Sequence, residues 1–384
     1  MTTTMKTAPK PKRSQGRAAE PIRLLTAVPI CDGHDSAITT INLEFIRHGI
    51  EVIYLGFHRY AGDIVRAAIQ EDVRAIGLSS YNGGHIEFFR EVVQLLRDEG
   101  CDDIAVFGGG GGTITDDDAR LMRKGGVDVI FPPGTSLEAI TQYVQDHYAG
   151  AAKKKPGNRN VDRAISRYLD GETNGRAPMP KRNVKPTVIG ITGPGGAGKT
   201  TLIDELVLRY LKMRDDLRVA ILSHDPSIVG NGALLGDRAT MIYSQDERVF
   251  MRSLATRGQA GGLSPETETY LKRLRALPFD VILVETVGTG QEAMPFRAGL
   301  VDRSVFVMSP EYGSQLQLQK IVMLDAADVV VVNKSDLAGA PRASAEVSHR
   351  IDMNHRGQRV LTTCAKRHRD KGVDELFEML QQKD

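Results

Sequence analysis

The chain has 384 residues, 41% hydrophobic and 26% charged, with a formal net charge of +2. That balance of charge excludes nucleic acid or an anionic membrane surface as partner, and the length suggests two or three domains. Three scattered cysteines, Cys31, Cys101 and Cys364, make neither a disulfide framework nor a zinc site, so the expected location is the cytoplasm. No apolar run approaches the roughly 20 residues that cross a bilayer.

Residues 1–20, MTTTMKTAPKPKRSQGRAAE, lack an apolar signal segment and read as a disordered tail, with a transit peptide as the alternative. From 21 to 148 the pattern alternates. Strands are expected at Leu24–Ile30, Glu51–Leu55, Ala75–Ser79, Ile104–Phe107 and Val129–Phe131, with helices at Ala37–His48, Ala61–Glu71, His85–Glu99, Ala119–Gly125 and Leu137–His147. Alternation of this kind specifies a doubly wound, flavodoxin-like parallel sheet whose ligands sit at the carboxyl ends of the strands. Residues 149–185, rich in Lys, Pro, Gly and Asn, read as linker. Inside it Val161–Leu169 carries a short helical stripe, either a docking helix or a surface helix. A second α/β domain occupies 186–384, with strands at Thr187–Thr192, Arg218–Ser223, Val281–Glu285, Ser304–Met308, Val329–Asn333 and Val360–Thr363.

Gly193-Pro194-Gly195-Gly196-Ala197-Gly198-Lys199-Thr200-Thr201 lies between the first of these strands and a helix, the context a P-loop requires. Its glycines let backbone N–H groups face phosphates, Lys199 reaches the outer phosphates, and Thr200 offers a hydroxyl to Mg²⁺. Asn333-Lys334-Ser335-Asp336 resembles the guanine-specificity loop of GTPases: a carboxylate at Asp336 can accept from both N1–H and the exocyclic amine of guanine. Cys364-Ala365-Lys366 looks like the loop that backs the base. GTP is therefore the expected nucleotide. Glu285 and Thr286 stand at a strand end before a flexible loop that reaches Gln291 and can sense a γ-phosphate. Asp225 and Asp237 add two further acids, which suits Mg²⁺ held by Thr200, Asp225, Asp237, Glu285 and Thr286. Lys199, Glu285 and Gln291 are the candidate catalytic residues.

The segments ETVGTGQ, DPS…GALLGDR, MRSLATRGQAGGLS and NKSD resemble the G-protein chaperones of adenosylcobalamin-dependent acyl-CoA mutases, the MeaB/ArgK-type GTPases. Against that pattern the stretch from Asp225 to Asp237 is about one residue short, and Thr240 stands where an arginine is usual. Arg238 is then the nearest candidate phosphate contact. Upstream, cobalamin domains of this class carry Asp-x-His-x-x-Gly, Ser-x-Leu and Gly-Gly. Here Asp32-Gly-His34-Asp-Ser-Ala37, Ser79-Ser80-Tyr81 and Gly108-Gly109 follow in that order, with Ala37 for Gly and Tyr81 for Leu. DGHD, SSYNGGH and FGGGGG resemble the cobalamin domain of the fused isobutyryl-CoA mutases, whose order is cobalamin domain, G-protein chaperone, mutase barrel.

The resemblance implies His34 as cobalt ligand, with Asp32 fixing its tautomer, and a corrinoid nucleotide tail lying along Ser79, Tyr81, Gly84, Gly108 and Gly109. It implies adenosylcobalamin, GTP and Mg²⁺ as cofactors, and an acyl-CoA mutase barrel subunit or domain as partner, with a homodimer left open. No barrel segment is expected within these 384 residues. The expected function is GTP-gated loading or repair of cofactor at a mutase; the alternatives are a mutase subunit or fragment, and a GTPase whose first domain has lost its corrinoid.

Overall fold

The computed structural model describes every residue except 1–20, 31, 35, 150–159, 174–177, 180–184, 229, 289–294, 313–321, 355–356 and 383–384. The expected terminal tail and the catalytic expectation for Gln291 lie outside the described residues.

The first sheet is built from β1 (Arg23–Ala27), β2 (Glu51–Tyr54), β3 (Ala75–Ser79), β4 (Ala105–Gly109) and β5 (Val129–Phe131), all pairing in parallel. Helices α1 (Ser36–Arg47) and α5 (Leu137–Tyr148) cover one face, where Phe45, Phe107, Val144 and Tyr148 form a core. On the other face lie α2 (Ala61–Gln70), α3 (His85–Asp98) and α4 (Asp116–Gly125), with Ile64, Phe89 and Val92 buried between them and the sheet. The helix boundaries follow ordinary chemistry. Thr115 and Asp118 make a reciprocal capping box on α4, and Ser136 caps α5 through the Ala139 N–H.

The order β5-β4-β3-β1-β2 reverses direction between β1 and β3, so the crevice at their carboxyl ends is the topological switch point. Beyond β2 stands a sixth strand, β8 (Ala233–Leu235), contributed by the second domain. It pairs in parallel with β2, Ala233 opposite Glu51 and Leu235 opposite Ile53. Gly232 makes this approach achievable: a Cβ there would stand 1.8 Å from the Ile50 carbonyl oxygen, and its N–H donates to the Ile46 carbonyl at 2.7 Å. A boundary at 186 therefore describes the chain in sequence but not in space.

The second sheet runs β13-β12-β11-β6-β10-β7-β9, all parallel. Its strands are β6 (Thr187–Thr192), β7 (Val219–Asp225), β9 (Val249–Ala255), β10 (Val281–Glu285), β11 (Arg303–Met308), β12 (Val329–Val332) and β13 (Arg359–Thr362). Around them pack α7 (Lys199–Met213), α8 (Thr267–Leu274), α9 (Val322–Ala326), α10 (Ala340–Asn354) and α11 (Lys371–Gln381). Strand β9 is absent from the sequence reading because Arg252 and Ser253 interrupt its apolar run, yet both are buried.

Helix α6 (Val161–Asp170), inside the expected linker, is a docking helix. Asn160 caps it through the Arg163 N–H at 2.8 Å, and Gly171 ends it at φ +85°. One side sinks Ile165, Tyr168 and Leu169 into the GTPase-side core beside Phe250 and Leu274. The other side faces the first domain: Arg163 and Arg167 both reach Asp103 at 2.9 Å, and the Ser166 hydroxyl donates to the Gln70 carbonyl at 2.7 Å.

Candidate functional site: two ligand crevices joined by one segment

At the β1/β3 switch point, Asp32 is fully buried while the His34 side chain is 61% exposed. Asp32 Oδ1 accepts from His34 Nδ1 at 2.8 Å and from the His34 backbone N–H at 2.9 Å. Its Oδ2 accepts the backbone N–H of Tyr81 and, at 3.0 Å, that of Asn82. Burial alone would raise this carboxyl's pKa, but the donated hydrogen bonds hold it below its ordinary value. One ionised side chain thus ties the loop after β1 to the loop after β3. An Nδ1–H given to Asp32 leaves the imidazole lone pair on Nε2, and Ile30, Phe57, Tyr60 and Tyr81 on the neighbouring loops are exposed. The Tyr81 ring lies 5.0 Å from that of His34.

An accessible imidazole on a carboxylate support fits a nitrogen ligand to the metal of a bound cofactor. Gly83 and Gly84 face open space: a Cβ on either would meet nothing within 4 Å. Gly108 behaves differently: a Cβ there would lie 2.4 Å from the Leu78 carbonyl and 2.6 Å from the Phe89 ring. It is a packing glycine between β3, β4 and α3. Ser79 ends β3 opposite Gly109, which is half-buried against Phe131.

The second crevice lies at the carboxyl ends of β6, β10 and β7. Residues 193–198 wrap into the N-terminus of α7, with Gly195 and Gly196 exposed and Thr201 exposed one residue into the helix beyond Thr200. Lys199 is buried and donates to the Pro194 carbonyl at 3.2 Å; burial holds its pKa below the usual ammonium value. Thr200 Oγ1 donates to Glu285 Oε1 at 2.7 Å. Ser223 Oγ donates to Asp237 and lies 3.5 Å from Glu285 Oε2. Burial first, and then the charge of Asp237, pushes the Asp225 and Glu285 carboxyls well above the usual carboxylate range.

Buried Glu285 and half-buried Asp237 face the one lysine, with half-buried Asp225 beside Asp237, and this excess of acid fits a hard divalent cation. Among the described residues no group of three His, Cys, Asp or Glu side chains makes a metal site alone. The Thr286 hydroxyl is taken by Thr192 Oγ1 at 2.9 Å and the Val287 carbonyl at 3.0 Å. Behind the acids sits His224, unforeseen in the sequence, with Nδ1 on the Glu285 carbonyl at 2.6 Å and Nε2 on Thr267 Oγ1 at 2.7 Å. Full burial lowers its pKa to about 4, so it is a neutral strut.

The loops after β12 and β13 converge on the P-loop. Asn333 Nδ2 donates to the Ala197 carbonyl at 2.9 Å, and its Oδ1 accepts from Thr363 Oγ1 and the Ala365 N–H, each at 3.0 Å. It clamps the P-loop to the loop after β13, while Lys334 follows at φ +58°. Asp336 accepts from Lys366 Nζ at 2.5 Å and from Cys364 Sγ at 3.2 Å, the lysine first among the causes that lower its pKa to about 2.

Arg238 is the residue whose place differs from expectation. It is wholly buried, with Nε 3.2 Å from Glu71 Oε1 and Nη2 bound to Gln70 Oε1 at 3.0 Å and the Met251 carbonyl at 2.6 Å. The physical reason is Glu71, a buried carboxylate at the end of α2 that also takes Arg23, the Ser253 N–H and the Ser253 hydroxyl. Arg238 is committed to the domain interface and is not brought to the P-loop.

Fold and site together define a class: a P-loop GTPase domain packed on a Rossmann-like domain that presents a carboxylate-supported histidine. Family models agree, one described as B12 binding domain over residues 22–141 and one as methylmalonyl Co-A mutase-associated GTPase MeaB over residues 178–384. The chain belongs to the MeaB GTPase family. It is 38% identical to a fused isobutyryl-CoA mutase of Cupriavidus metallidurans, over 97% of this chain and 37% of that protein. A fused isobutyryl-CoA mutase of Geobacillus kaustophilus is 35% identical over 93% of this chain and 36% of its own length. A putative GTPase of Pyrococcus abyssi is 39% identical over 60% of this chain and 73% of its own. The chain thus spans a little over a third of the fused mutases it matches. No described helix is long and apolar enough to cross a membrane.

Proposed function

We propose that this chain binds adenosylcobalamin with His34 replacing the cofactor's own base at cobalt, and that it uses GTP binding and hydrolysis to gate cofactor loading or removal at an acyl-CoA mutase. The observation that carries this reading is the Asp32–His34 pair, an exposed imidazole whose Nδ1 is held at 2.8 Å by a buried carboxylate, on the same folded body as a P-loop. When bound, the cofactor supplies homolytic cobalt–carbon chemistry. The chain's own residues do the rest. Asp32 fixes the imidazole tautomer and pins the loops that carry His34 and Tyr81. Lys199 and the P-loop amides hold the triphosphate, and Thr200, Asp237 and Glu285 supply the hard oxygens beside it. Asp336 selects guanine, and Gln291 lies on the loop expected to sense the γ-phosphate.

The names of the relatives support isobutyryl-CoA as the substrate of the mutase served, with a barrel on another chain or elsewhere in the same polypeptide. The test is reconstitution with a substrate-barrel polypeptide in the presence of adenosylcobalamin. Isobutyryl-CoA isomerisation is expected to need this chain, and the barrel is expected to accelerate its GTP hydrolysis. Methylmalonyl-CoA turnover instead would reassign the substrate. No association with any acyl-CoA mutase barrel, and no dependence on GTP, would contradict the gating role.

A further inference from the structure

The segment between the two acids of the nucleotide crevice, Asp225 and Asp237, does not stay in its own domain. It leaves β7, crosses to the edge of the first sheet, forms β8 against β2, and returns to Asp237 two residues later. Both ends are tied at the nucleotide crevice: Asp225 Oδ2 accepts the Gly236 N–H at 3.1 Å, and Asp237 accepts from Ser223. Two residues past Asp237, the carbonyl of Ala239 is held at 2.5 Å by Arg59 Nη2.

Arg59 belongs to the loop after β2. Its Nε donates to the Leu55 carbonyl at 2.6 Å, so one planar guanidinium bridges a carbonyl of the first domain to one of the second. The backbone of this loop is locked to the His34 loop. The Arg59 N–H donates to the Val28 carbonyl at 3.1 Å, and the Val28 N–H donates to the Gly56 carbonyl at 3.0 Å. Next to it, His58 stands at φ +58° with Nδ1 on the Ile30 carbonyl at 3.1 Å, and its ring packs beside Gly33. Gly33 is the residue between Asp32 and His34.

Spatial intermediacy alone does not establish coupling; one element whose position both sites bias does. The segment carrying Asp225, Asp237 and Ala239 touches both sides: Asp225 and Asp237 stand at the nucleotide crevice, and the Ala239 carbonyl anchors Arg59. We propose that Arg59 is the positioning residue through which the nucleotide state is felt at His34, by linking the Ala239 carbonyl to the loop that seats Ile30 and Gly33. This rests on the corrinoid reading above. Lysine cannot replace the function, because an ammonium lacks the fixed fork that spans two carbonyls.

The test is a linkage measurement on the whole chain. Adenosylcobalamin affinity, read from its absorbance change, is measured with Mg²⁺ plus GDP and with Mg²⁺ plus a non-hydrolysable GTP analogue. The affinity ratio of a fluorescent pair of the same nucleotides is then measured with and without cobalamin. Thermodynamic reciprocity requires the two ratios to agree, and a working coupling is about fivefold or more. In Arg59→Gln and Arg59→Lys the ratio is expected to fall below about twofold, while cobalamin affinity with GDP and nucleotide affinity without cobalamin each stay within about threefold of wild type. A purely structural role for Arg59 would lower both affinities and leave the ratio intact. The ratio retained in either soluble variant overturns the proposal, as does a ratio of one in a wild type that binds both ligands. A wild type that binds nucleotide but no cobalamin overturns the corrinoid reading and the proposal with it.

Discussion

Replacing Glu71 by alanine attacks the join between the two domains at its most buried point. Its carboxylate is fully enclosed and takes Arg23 at 2.7 Å, Arg238 at 3.2 Å, and the Ser253 N–H and hydroxyl at 3.0 and 2.9 Å. Removing one side of a buried pair costs about 3–5 kcal/mol, because the other charge stays buried. Arg23 keeps Glu51 at 2.7 Å, and Arg238 keeps Gln70 and the Met251 carbonyl, so the lower end of that range, ~3 kcal/mol, is expected. For domains of this size that is on the order of 6–12 °C in Tm. The chain has no tryptophan, so far-UV circular dichroism is the probe. Glu71→Gln, which keeps hydrogen-bonding capacity, should lose less. A shift under about 2 °C for Glu71→Ala would refute the argument. So would Arg238→Ala if it weakened GTP binding more than about tenfold with unchanged stability, the behaviour of a phosphate ligand.

Three further outcomes follow from the same geometry. Lys199→Ala should weaken GTP roughly ten- to hundredfold, the worth of a charge-assisted contact, with cobalamin affinity in the absence of nucleotide unchanged; isothermal titration reads both. Asp336→Ala should weaken GTP about a hundredfold and change ATP by less than about threefold in a competition assay, erasing discrimination without improving ATP. Burial drives the Cys101 thiol up to about 11, so only ~0.1% is thiolate at pH 8. Mass spectrometry after alkylation should therefore find Cys101 unlabelled in the folded chain and labelled in urea, with native labelling rising as pH approaches 11.

What was legible in the sequence was what is local. The P-loop glycines, Asn333 to Asp336, and Asp32 with His34 are short motifs whose residues stand close together in the chain, so spacing alone picks them out, although Ala197, Lys366 and Tyr81, which they bind, lie far away in sequence. The strands β6 and β10 match their expected bounds because their apolar runs are uninterrupted. What was hidden depends on distant partners. Arg238 reads as a phosphate ligand until Glu71, 167 positions away, is seen beside it. The stripe at Val161–Leu169 leaves docking and surface helix equally open, and only Asp72 and Asp103, which receive Arg163 and Arg167 in a buried interface, decide it. Strand β8 has three residues and takes its partner from another domain, so no window of sequence contains the reason it forms. His224 is hidden differently: it falls one residue past the expected strand Arg218–Ser223, inside the observed β7, and its role follows from Thr267 and Glu285 flanking it in space.

The claim on which the rest stands is that His34 ligates the cobalt of a corrinoid. Adenosylcobalamin titrated into the wild-type chain should show the absorbance change from base-on to base-off cofactor, and His34→Ala should abolish or alter it while leaving GTP binding intact. Asp32→Asn, which keeps the imidazole but removes the charge supporting it, should weaken cobalamin by about 10- to 100-fold. No spectral change on mixing, or a change identical in wild type and His34→Ala, would contradict the account.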